Sequence, residues 1–306
     1  MTKVLVATEK PFAPEAVNGI RNICEKAGYQ LVLLEKYAGP SDLIKAVADA
    51  DALIIRSDKA TREVIDAGKK LRIIVRAGAG YDNIDLNAAT EHKVVAMNTP
   101  GQNSNAVAEL ALGMMVFMAR NKFNGTSGTE LRGKKLGIHA FGHVGQLVGQ
   151  IAKGFGMEIY AFDPFISDEK IKDLGAIPVS SVEKLYSTCQ YISLHIPAND
   201  QTRKSINFDL LSKMPIGATL VNTARKEVID EEGLISMFEK RADFIYLSDI
   251  APDNKELIER KFEDRSFFTP KKMGAQTEEA NINAGLAAAN QIVNFLKNGD
   301  TTFKVN

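Results

Sequence analysis

The sequence predicts an α/β fold with two doubly wound parallel-sheet domains and a cleft between them. Short apolar runs rich in β-branched residues alternate with amphipathic stretches along the chain, a pattern typical of parallel sheets covered by helices. The runs are apolar at consecutive positions, as expected for strands that are buried on both faces. The chain has 306 residues, 45% of them hydrophobic, which is enough for two hydrophobic cores.

The predicted strands fall into two series separated by a helix-like segment, 103–120. The first series comprises 4–8, 30–34, 52–57, 72–76 and 94–98, and the second comprises 135–141, 158–163, 191–196, 219–223, 244–249 and 266–269. Thr99-Pro100-Gly101 breaks regular structure and marks the first domain crossing. The last helical pattern, 278–296, has no strand of its own, so we expect it to return to the first domain. The predicted domains are therefore 1–98 with 278–306, which is flavodoxin-like, and 99–277.

Composition excludes several functional classes. Lys and Arg together number 38, as do Asp and Glu, so no net charge attracts the protein to nucleic acid or to an anionic membrane. Cys24 and Cys189 have no metal-ligand spacing, which predicts no metal site and a reducing compartment. Without a signal peptide or an apolar run of membrane-spanning length, we expect a cytoplasmic protein.

A glycine-rich turn follows the first strand of the second series. A Rossmann-like dinucleotide-binding turn would have glycine at positions 140, 142 and 145, and this chain has Ala140, Gly142 and Gly145. Gly142 would let the backbone approach a pyrophosphate, and Gly145 would let the helix pack on the strand. Ala140 can serve only if its backbone dihedrals suit a non-glycine residue. The residues predicted to bind a cofactor here are Ala140, Phe141, Gly142, His143, Val144 and Gly145.

The next strand ends in Asp163, about 20 residues after the glycines. A carboxylate at this position accepts hydrogen bonds from ribose hydroxyls and repels a 2′-phosphate, which predicts NAD rather than NADP. The competing interpretation is that Asp163 only shapes the turn before Pro164.

Four further segments resemble the D-isomer-specific 2-hydroxyacid dehydrogenases. Their sequences are VRAGAGYDNID at 75–85, NTPGQNSNAVAE at 98–109, LHIP at 194–197 with Thr202 after it, and VNTARKEVID at 221–230. The resemblance runs nearly end to end. It implies an enzyme that binds NAD in the second domain and its substrate in the first, and that moves a hydride between the nicotinamide and a hydroxyl-bearing carbon.

The resemblance also implies roles for individual residues. Arg225 would clamp the substrate carboxylate, because a guanidinium binds a carboxylate bidentately and stays charged. Further cofactor contacts are implied for His195, Pro197, Thr202, Thr223, Ala224, Asp249 and Gly274. Substrate contacts are implied for Arg56, Ser57, Arg76, Ala77, Gly78 and Asn103, and a basic residue near Lys122 or Arg132 is a further candidate.

The proton carrier departs from the family pattern. The family has a histidine in a Thr-Pro-His-x-Gly segment, whereas this chain reads TPKKMG at 269–274, with one extra residue. Counting back from Gly274 gives Lys272, and counting forward from Pro270 gives Lys271. We prefer Lys272, because we expect the gap to fall next to Pro270 and not inside the Gly-Ala element that follows. The glutamate that orients the histidine would fall near Asp253 or Asn254. Asn254 has no carboxylate, so Asp253, one position off, stays a candidate. The alternative for Lys271 and Lys272 is a merely solvated lysine pair.

Within the family, Arg56-Ser57 and the Arg76 loop are most similar to short phosphoglycerate dehydrogenases without a C-terminal regulatory domain. That similarity implies oxidation of D-3-phosphoglycerate, the first step of serine biosynthesis. Two alternatives stay open: another family member, such as a glyoxylate or hydroxypyruvate reductase, and an NAD-sensing binding protein without catalysis. The resemblance also implies a homodimer formed through the helix at 103–120.

Overall fold

The structure, a computed structural model, describes residues 1–306 and divides into two compact units. Unit 1 comprises Met1–Asn103 and Gln276–Asn306, and unit 2 comprises Ser104–Ala275. The boundaries predicted from the sequence, after residue 98 and before residue 278, lie a few residues from these. None of the helices combines the length and apolar character that a membrane span requires.

Unit 1 is built on a five-stranded parallel sheet. Its strands are β1 (Lys3–Thr8), β2 (Gln30–Glu35), β3 (Ala52–Ile55), β4 (Ile73–Arg76) and β5 (Val95–Asn98), in the order β2-β1-β3-β4-β5. The helices between them are α1 (Pro14–Lys26), α2 (Pro40–Val47), α3 (Arg62–Ala67) and α4 (Leu86–Glu91). Val4 and Val6 face one hydrophobic cluster, and Leu5 and Ala7 face the other. The sheet is therefore buried on both faces, which explains the continuous apolar runs.

Unit 2 is built on a seven-stranded parallel sheet in the order β12-β11-β10-β9-β6-β7-β8. Its strands are β6 (Lys135–His139), β7 (Glu158–Phe162), β8 (Ile177–Pro178), β9 (Tyr191–Leu194), β10 (Thr219–Asn222), β11 (Ile245–Ser248) and β12 (Ser266–Phe268). Its helices are α5 (Ser104–Ala119), α6 (His143–Gly154), α7 (Asp168–Asp173), α8 (Val182–Thr188), α9 (Phe208–Leu211), α10 (Glu231–Lys240) and α11 (Lys255–Phe262). The strand order reverses beside β6, and doubly wound sheets bind ligands at such a switch point. The predicted fold class is confirmed.

The last helix, α12 (Glu278–Asn298), belongs to unit 1 and packs on α1. The two helices approach closely, because a Cβ added to Gly19 would lie 2.3 Å from Leu286 Cδ2. The side chain of Thr277 caps the helix by accepting a hydrogen bond from the Ala280 N–H.

Several predicted strands extend too far at their carboxyl ends. The strand predicted at 135–141 ends at His139, and the one predicted at 191–196 ends at Leu194. The apolar pattern continues because Phe141 and Ile196 are buried although they lie in loops. Buried loops at this edge of the sheet carry the candidate site. The two-residue strand β8 was not predicted, because it is too short to show a pattern.

Candidate active site

The turn between β6 and α6 has the geometry of a phosphate-binding turn. Gly142 is the N-cap of α6, and the unpaired N–H groups and dipole of a helix N-terminus favour anions. A Cβ added to Gly145 would lie 2.4 Å from the Ala140 carbonyl oxygen, whereas one added to Gly142 would meet no atom within 4 Å. Helix–strand packing therefore requires Gly145, and the open space beside Gly142 is available to a ligand.

Ala140 does not meet the condition set from the sequence. Its φ is 75°, in the left-handed region that glycine adopts freely and that costs an L-residue roughly 1–2 kcal/mol. Its N–H donates to the Phe162 carbonyl oxygen over 2.9 Å. The turn therefore keeps the shape of a glycine-containing turn at the expense of backbone strain at Ala140.

Asp163 joins the end of β7 to this turn. Its Oδ2 accepts a hydrogen bond from the Phe141 N–H at 2.8 Å, and its Oδ1 accepts one from the Phe165 N–H at 2.9 Å. The turn-shaping role is thus present in the structure. A carboxylate has about four acceptor positions, so the same oxygens can still accept ribose hydroxyls, and the two interpretations of Asp163 are compatible.

A pocket of about 710 Å³ lies at the carboxyl ends of β6, β7 and β9, within the size range of small-molecule sites. The predicted cofactor residues that line it are Ala140, Gly142, Asp163, His195, Pro197 and Thr202. Sequence reasoning missed Phe162, Phe165, Val182, Glu183, Leu210 and Lys213, which also line it. No fingerprint spacing connects these residues, because separate elements bring them together. The only sequence signal was the position of Phe165 directly after Asp163 and Pro164.

Two histidines beside the pocket stay uncharged near neutral pH. Burial lowers the pKa of His139 to about 4, and burial together with neighbouring His139 lowers the pKa of His195 to about 3. His195 Nε2 lies 2.9 Å from Ser193 Oγ, and His139 Nδ1 lies 3.3 Å from the Tyr186 hydroxyl. They therefore add hydrogen-bonding groups but no positive charge to the pocket.

Asn222 shapes the turn that carries Arg225. Its Oδ1 accepts from the Ala224 N–H at 3.0 Å, and its Nδ2 donates to the Arg225 carbonyl oxygen at 3.0 Å. Nη1 of Arg225 donates to the Ala224 carbonyl oxygen. A guanidinium has five donors, so others can bind a carboxylate. In the same turn, Thr223 Oγ1 is buried without a hydrogen-bond partner, and a bound ligand would supply one.

Asp249, predicted to contact the cofactor, directs both carboxylate oxygens at the lysine segment, and the predicted cofactor contact stays a prediction. Oδ1 lies 2.9 Å from Thr269 Oγ1 and accepts from the Met273 N–H at 2.8 Å, and Oδ2 accepts from the Gly274 N–H at 2.8 Å. A Cβ added to Gly274 would lie 2.9 Å from Asp249 Oδ2. The close approach of Asp249 thus requires glycine at position 274. Asp249 positions the segment that contains Lys271 and Lys272.

The structure argues against Asp253 as a catalytic residue. Its carboxylate lies 2.6 Å from Lys226 Nζ and is largely exposed. Its backbone N–H and that of Asn254 donate to Glu231. The contacts of Asp253 thus serve the loop before α11. Lys271 and Lys272 are both exposed.

In unit 1, the two candidate arginines differ. Arg56 Nη1 donates to the Lys10 and Pro11 carbonyl oxygens, its Nη2 donates to Asn281 Oδ1, and its guanidinium lies 5.0 Å from the centre of the Phe12 ring. Burial lowers the pKa of Arg56. These contacts give Arg56 a structural role, which corrects the prediction that it is an equal candidate for substrate binding.

Arg76 is the last residue of β4, and its side chain lies against the loop that comes next in the sequence. Its Nε donates to the Arg56 carbonyl oxygen at 3.0 Å, and a Cβ added to Gly78 would lie 1.8 Å from Arg76 Nη1. Gly78, with a φ of 151°, therefore makes room for the guanidinium. Ala77 is buried, Ser57 is exposed and Asn103 is partly exposed.

The two further basic candidates, Lys122 and Arg132, lie in unit 2. Lys122 Nζ donates to the Glu263 carbonyl oxygen at 2.6 Å. The Arg132 side chain packs on Gly156, because a Cβ added to Gly156 would lie 3.1 Å from Arg132 Cγ. Both side chains thus have structural contacts there.

Together, the doubly wound sheet, the glycine turn and the acid at the end of β7 define an α/β dinucleotide-binding protein. Residues 114–269 match the family model described as D-isomer specific 2-hydroxyacid dehydrogenase, NAD binding domain. This chain belongs to the D-isomer specific 2-hydroxyacid dehydrogenase family, which confirms the resemblance noted in the sequence.

Three proteins similar to this chain carry names of two kinds. The crystal structure of NAD⁺-bound 3-phosphoglycerate dehydrogenase from Entamoeba histolytica is 51% identical with a TM-score of 0.88, and the match covers 100% of this chain and 98% of that one. Hydroxypyruvate reductase from Thermotoga maritima is 34% identical over 95% of this chain and 98% of its own length. D-3-phosphoglycerate dehydrogenase from Methanocaldococcus jannaschii is 36% identical over 84% of this chain and 52% of its own length. The chain thus spans about half the length of the first curated relatives it matches.

The two glycines of the turn give a matched test. G145A should lower the free energy of unfolding by about 1–3 kcal/mol, because the new methyl group overlaps the Ala140 carbonyl. G142A should cost less than about 1 kcal/mol but should raise the Kd for NADH about tenfold or more, ~1.4 kcal/mol, because the methyl group occupies the ligand's space. Thermal unfolding and NADH titration measure both. Wild-type affinity in G142A would show that no phosphate approaches Gly142.

The role of Asp249 is tested by D249N, with D253N as the matched exposed control. The Met273 and Gly274 N–H groups face different oxygens of Asp249, and in asparagine one of these atoms becomes an NH₂ group that cannot accept. D249N should therefore lower the free energy of unfolding by about 1–3 kcal/mol. It should also speed tryptic cleavage after Lys271 or Lys272. D253N loses only an exposed ion pair and should change stability by less than about 1 kcal/mol. Equal cleavage rates in wild type and D249N would refute this role for Asp249.

Proposed function

We propose that this protein is an NAD-dependent dehydrogenase that oxidises D-3-phosphoglycerate to 3-phosphohydroxypyruvate. The observation that carries the proposal is the arrangement of unit 2. The glycine turn, Asp163, the Arg225 turn and the lysine segment all follow carboxyl ends of strands in one parallel sheet, where such sheets bind ligands. The 51% identity to the Entamoeba histolytica enzyme supports the choice of substrate.

The residues of unit 2 fit NAD. Gly142 leaves space for a pyrophosphate at the N-terminus of α6, Asp163 offers acceptors for ribose hydroxyls, and Thr223 Oγ1 has an unmet hydrogen bond. A 2′-phosphate beside Asp163 would place two negative charges together, so we propose a preference for NAD over NADP. When bound, NAD supplies the hydride acceptor.

The chain's own groups would divide the remaining chemistry. Arg225 binds the substrate carboxylate and stabilises negative charge on the neighbouring oxygen. In oxidation, the hydroxyl-bearing carbon loses a hydride and its oxygen loses a proton, which the neutral amine of Lys272 accepts. Reduction reverses both transfers. Unlike a histidine, a lysine has no tautomer to fix, so the mechanism does not require the carboxylate of Asp253, which lies against Lys226.

For the substrate phosphate we propose Arg76 rather than Arg56, because the Arg56 guanidinium is already bound to two carbonyl groups and to Asn281.

A second candidate function is hydroxypyruvate reductase, which the Thermotoga maritima relative of nearly equal length favours. Retention of Arg225 argues against a binding protein without catalysis. A homodimer and a cytoplasmic location stay predictions.

The function is tested by NADH oxidation with phosphohydroxypyruvate, hydroxypyruvate and glyoxylate as substrates. We expect the highest kcat/KM with phosphohydroxypyruvate. R76A should raise the KM for this substrate about tenfold or more, ~1.4 kcal/mol, and should change the KM for hydroxypyruvate much less. R72A is the control and should behave as wild type, because Arg72 is exposed and lies just before β4, the strand that ends at Arg76. Higher efficiency with hydroxypyruvate or glyoxylate would favour a reductase, and NADH binding without turnover would favour a sensor.

The lysine assignment predicts unequal variants. K272A should reduce turnover about 100-fold or more through loss of acid–base catalysis, while NADH binding is largely kept. K271A should reduce turnover far less. In the wild type, oxidation should speed up with rising pH and reduction should slow down, because the two directions need the neutral and the charged amine. The opposite ranking would move the role to Lys271, and normal turnover in the double variant would exclude a lysine mechanism.

A further inference from the structure

Phe165 is an aromatic side chain at the rim of the pocket in unit 2 and is almost fully in water. It is 93% exposed, more than any other phenylalanine of the chain, and it lines the pocket. A single exposed apolar side chain is ordinary, but this one borders a concave site. A ligand that fills the pocket would remove part of the Phe165 ring from water, which favours binding.

The backbone at Phe165 is fixed by groups of the same site. The ring of Pro164 restricts its own φ, and the Phe165 N–H donates to Asp163 Oδ1. The other oxygen of this carboxylate accepts from the Phe141 N–H in the glycine turn. The Asp163 side chain therefore connects Phe165 to the glycine turn proposed to bind phosphates. These hydrogen bonds fix the distance between the Phe165 backbone and the turn.

The wall of the pocket beyond Asp163 is apolar. It is formed by Phe162, Val182, Ile196 and Leu210, which come from the ends of β7 and β9 and from α8 and α9. Charged side chains of Glu183, Asp209 and Lys213 also line it. Apolar walls with an aromatic side chain at the rim and polar groups nearby suit a flat heteroaromatic ring, whose faces are apolar and whose edges form hydrogen bonds.

We propose that Phe165 stacks on the adenine ring of the bound dinucleotide and thereby sets part of the affinity for the cofactor. The inference rests on the proposed NAD binding and adds a specific contact to it. Phe165 would have a different role from Arg225 and Lys272, because it would contact the adenosine end of the dinucleotide and not the reacting carbon of the substrate. Its removal should therefore affect cofactor binding more than chemistry.

The first test measures NADH affinity in F165A. Stacking of a base on an aromatic side chain corresponds to a factor of about five or more, so the Kd for NADH should rise at least about fivefold. The KM for NAD should rise more than kcat falls, and F165Y should restore the affinity. Since Phe165 is exposed, F165A should fold normally, which thermal unfolding checks. Wild-type affinity in F165A would overturn the proposal.

The second test uses the absence of tryptophan from this sequence. F165W introduces a single tryptophan whose emission should change saturably when AMP is added, because AMP carries the adenine ring and lacks the nicotinamide. I216W places a tryptophan at another exposed apolar position of unit 2, outside the pocket lining, and its emission should not respond. An unresponsive F165W that still binds NADH would refute the stacking alone. Failure of the wild type to bind NADH would instead refute the proposed function.

Discussion

The proposed chemistry depends on the hydrogen bonds that the buried carboxylate of Asp249 accepts. It is 1% exposed and lies directly after β11. Removing a carboxylate from water is costly unless hydrogen bonds compensate, and here the donors are the Thr269 hydroxyl and the backbone N–H groups of Met273 and Gly274. Because residues 269–274 form no helix or strand, these hydrogen bonds determine the positions of Lys271 and Lys272.

The same arrangement recurs along the carboxyl edge of the second sheet. Asp163 after β7 binds the backbone of the glycine turn, and Asn222 at the end of β10 binds the backbone of the Arg225 turn. In each case a short polar side chain at a strand end satisfies N–H or C=O groups that the sheet no longer pairs. Side chains at the strand ends therefore hold the backbone of the site, and its chemical groups are carried by loops that these side chains shape.

Much of the fold could be predicted from the sequence, because strand burial on both faces leaves a continuous apolar signal. The glycine turn and Asp163 were also predictable, since their spacing is local. The role of Arg56 was not, because its partner Asn281 is 225 residues away in sequence. Nor was the positive φ of Ala140, which nothing in the residue type indicates. Phe165 and Leu210 line one pocket only through the topology of β7, β9 and their connections.

We propose that a lysine on the Asp249-bound segment performs the proton transfer that a histidine performs elsewhere in the family. The most direct measurement is chemical rescue of K272A by small primary amines such as methylamine and ethylamine. If the Lys272 amine carries the proton, turnover of phosphohydroxypyruvate by K272A should rise with amine concentration, and wild type and K271A should not respond. Equal, unrescued turnover by K272A, K271A and wild type would contradict the account.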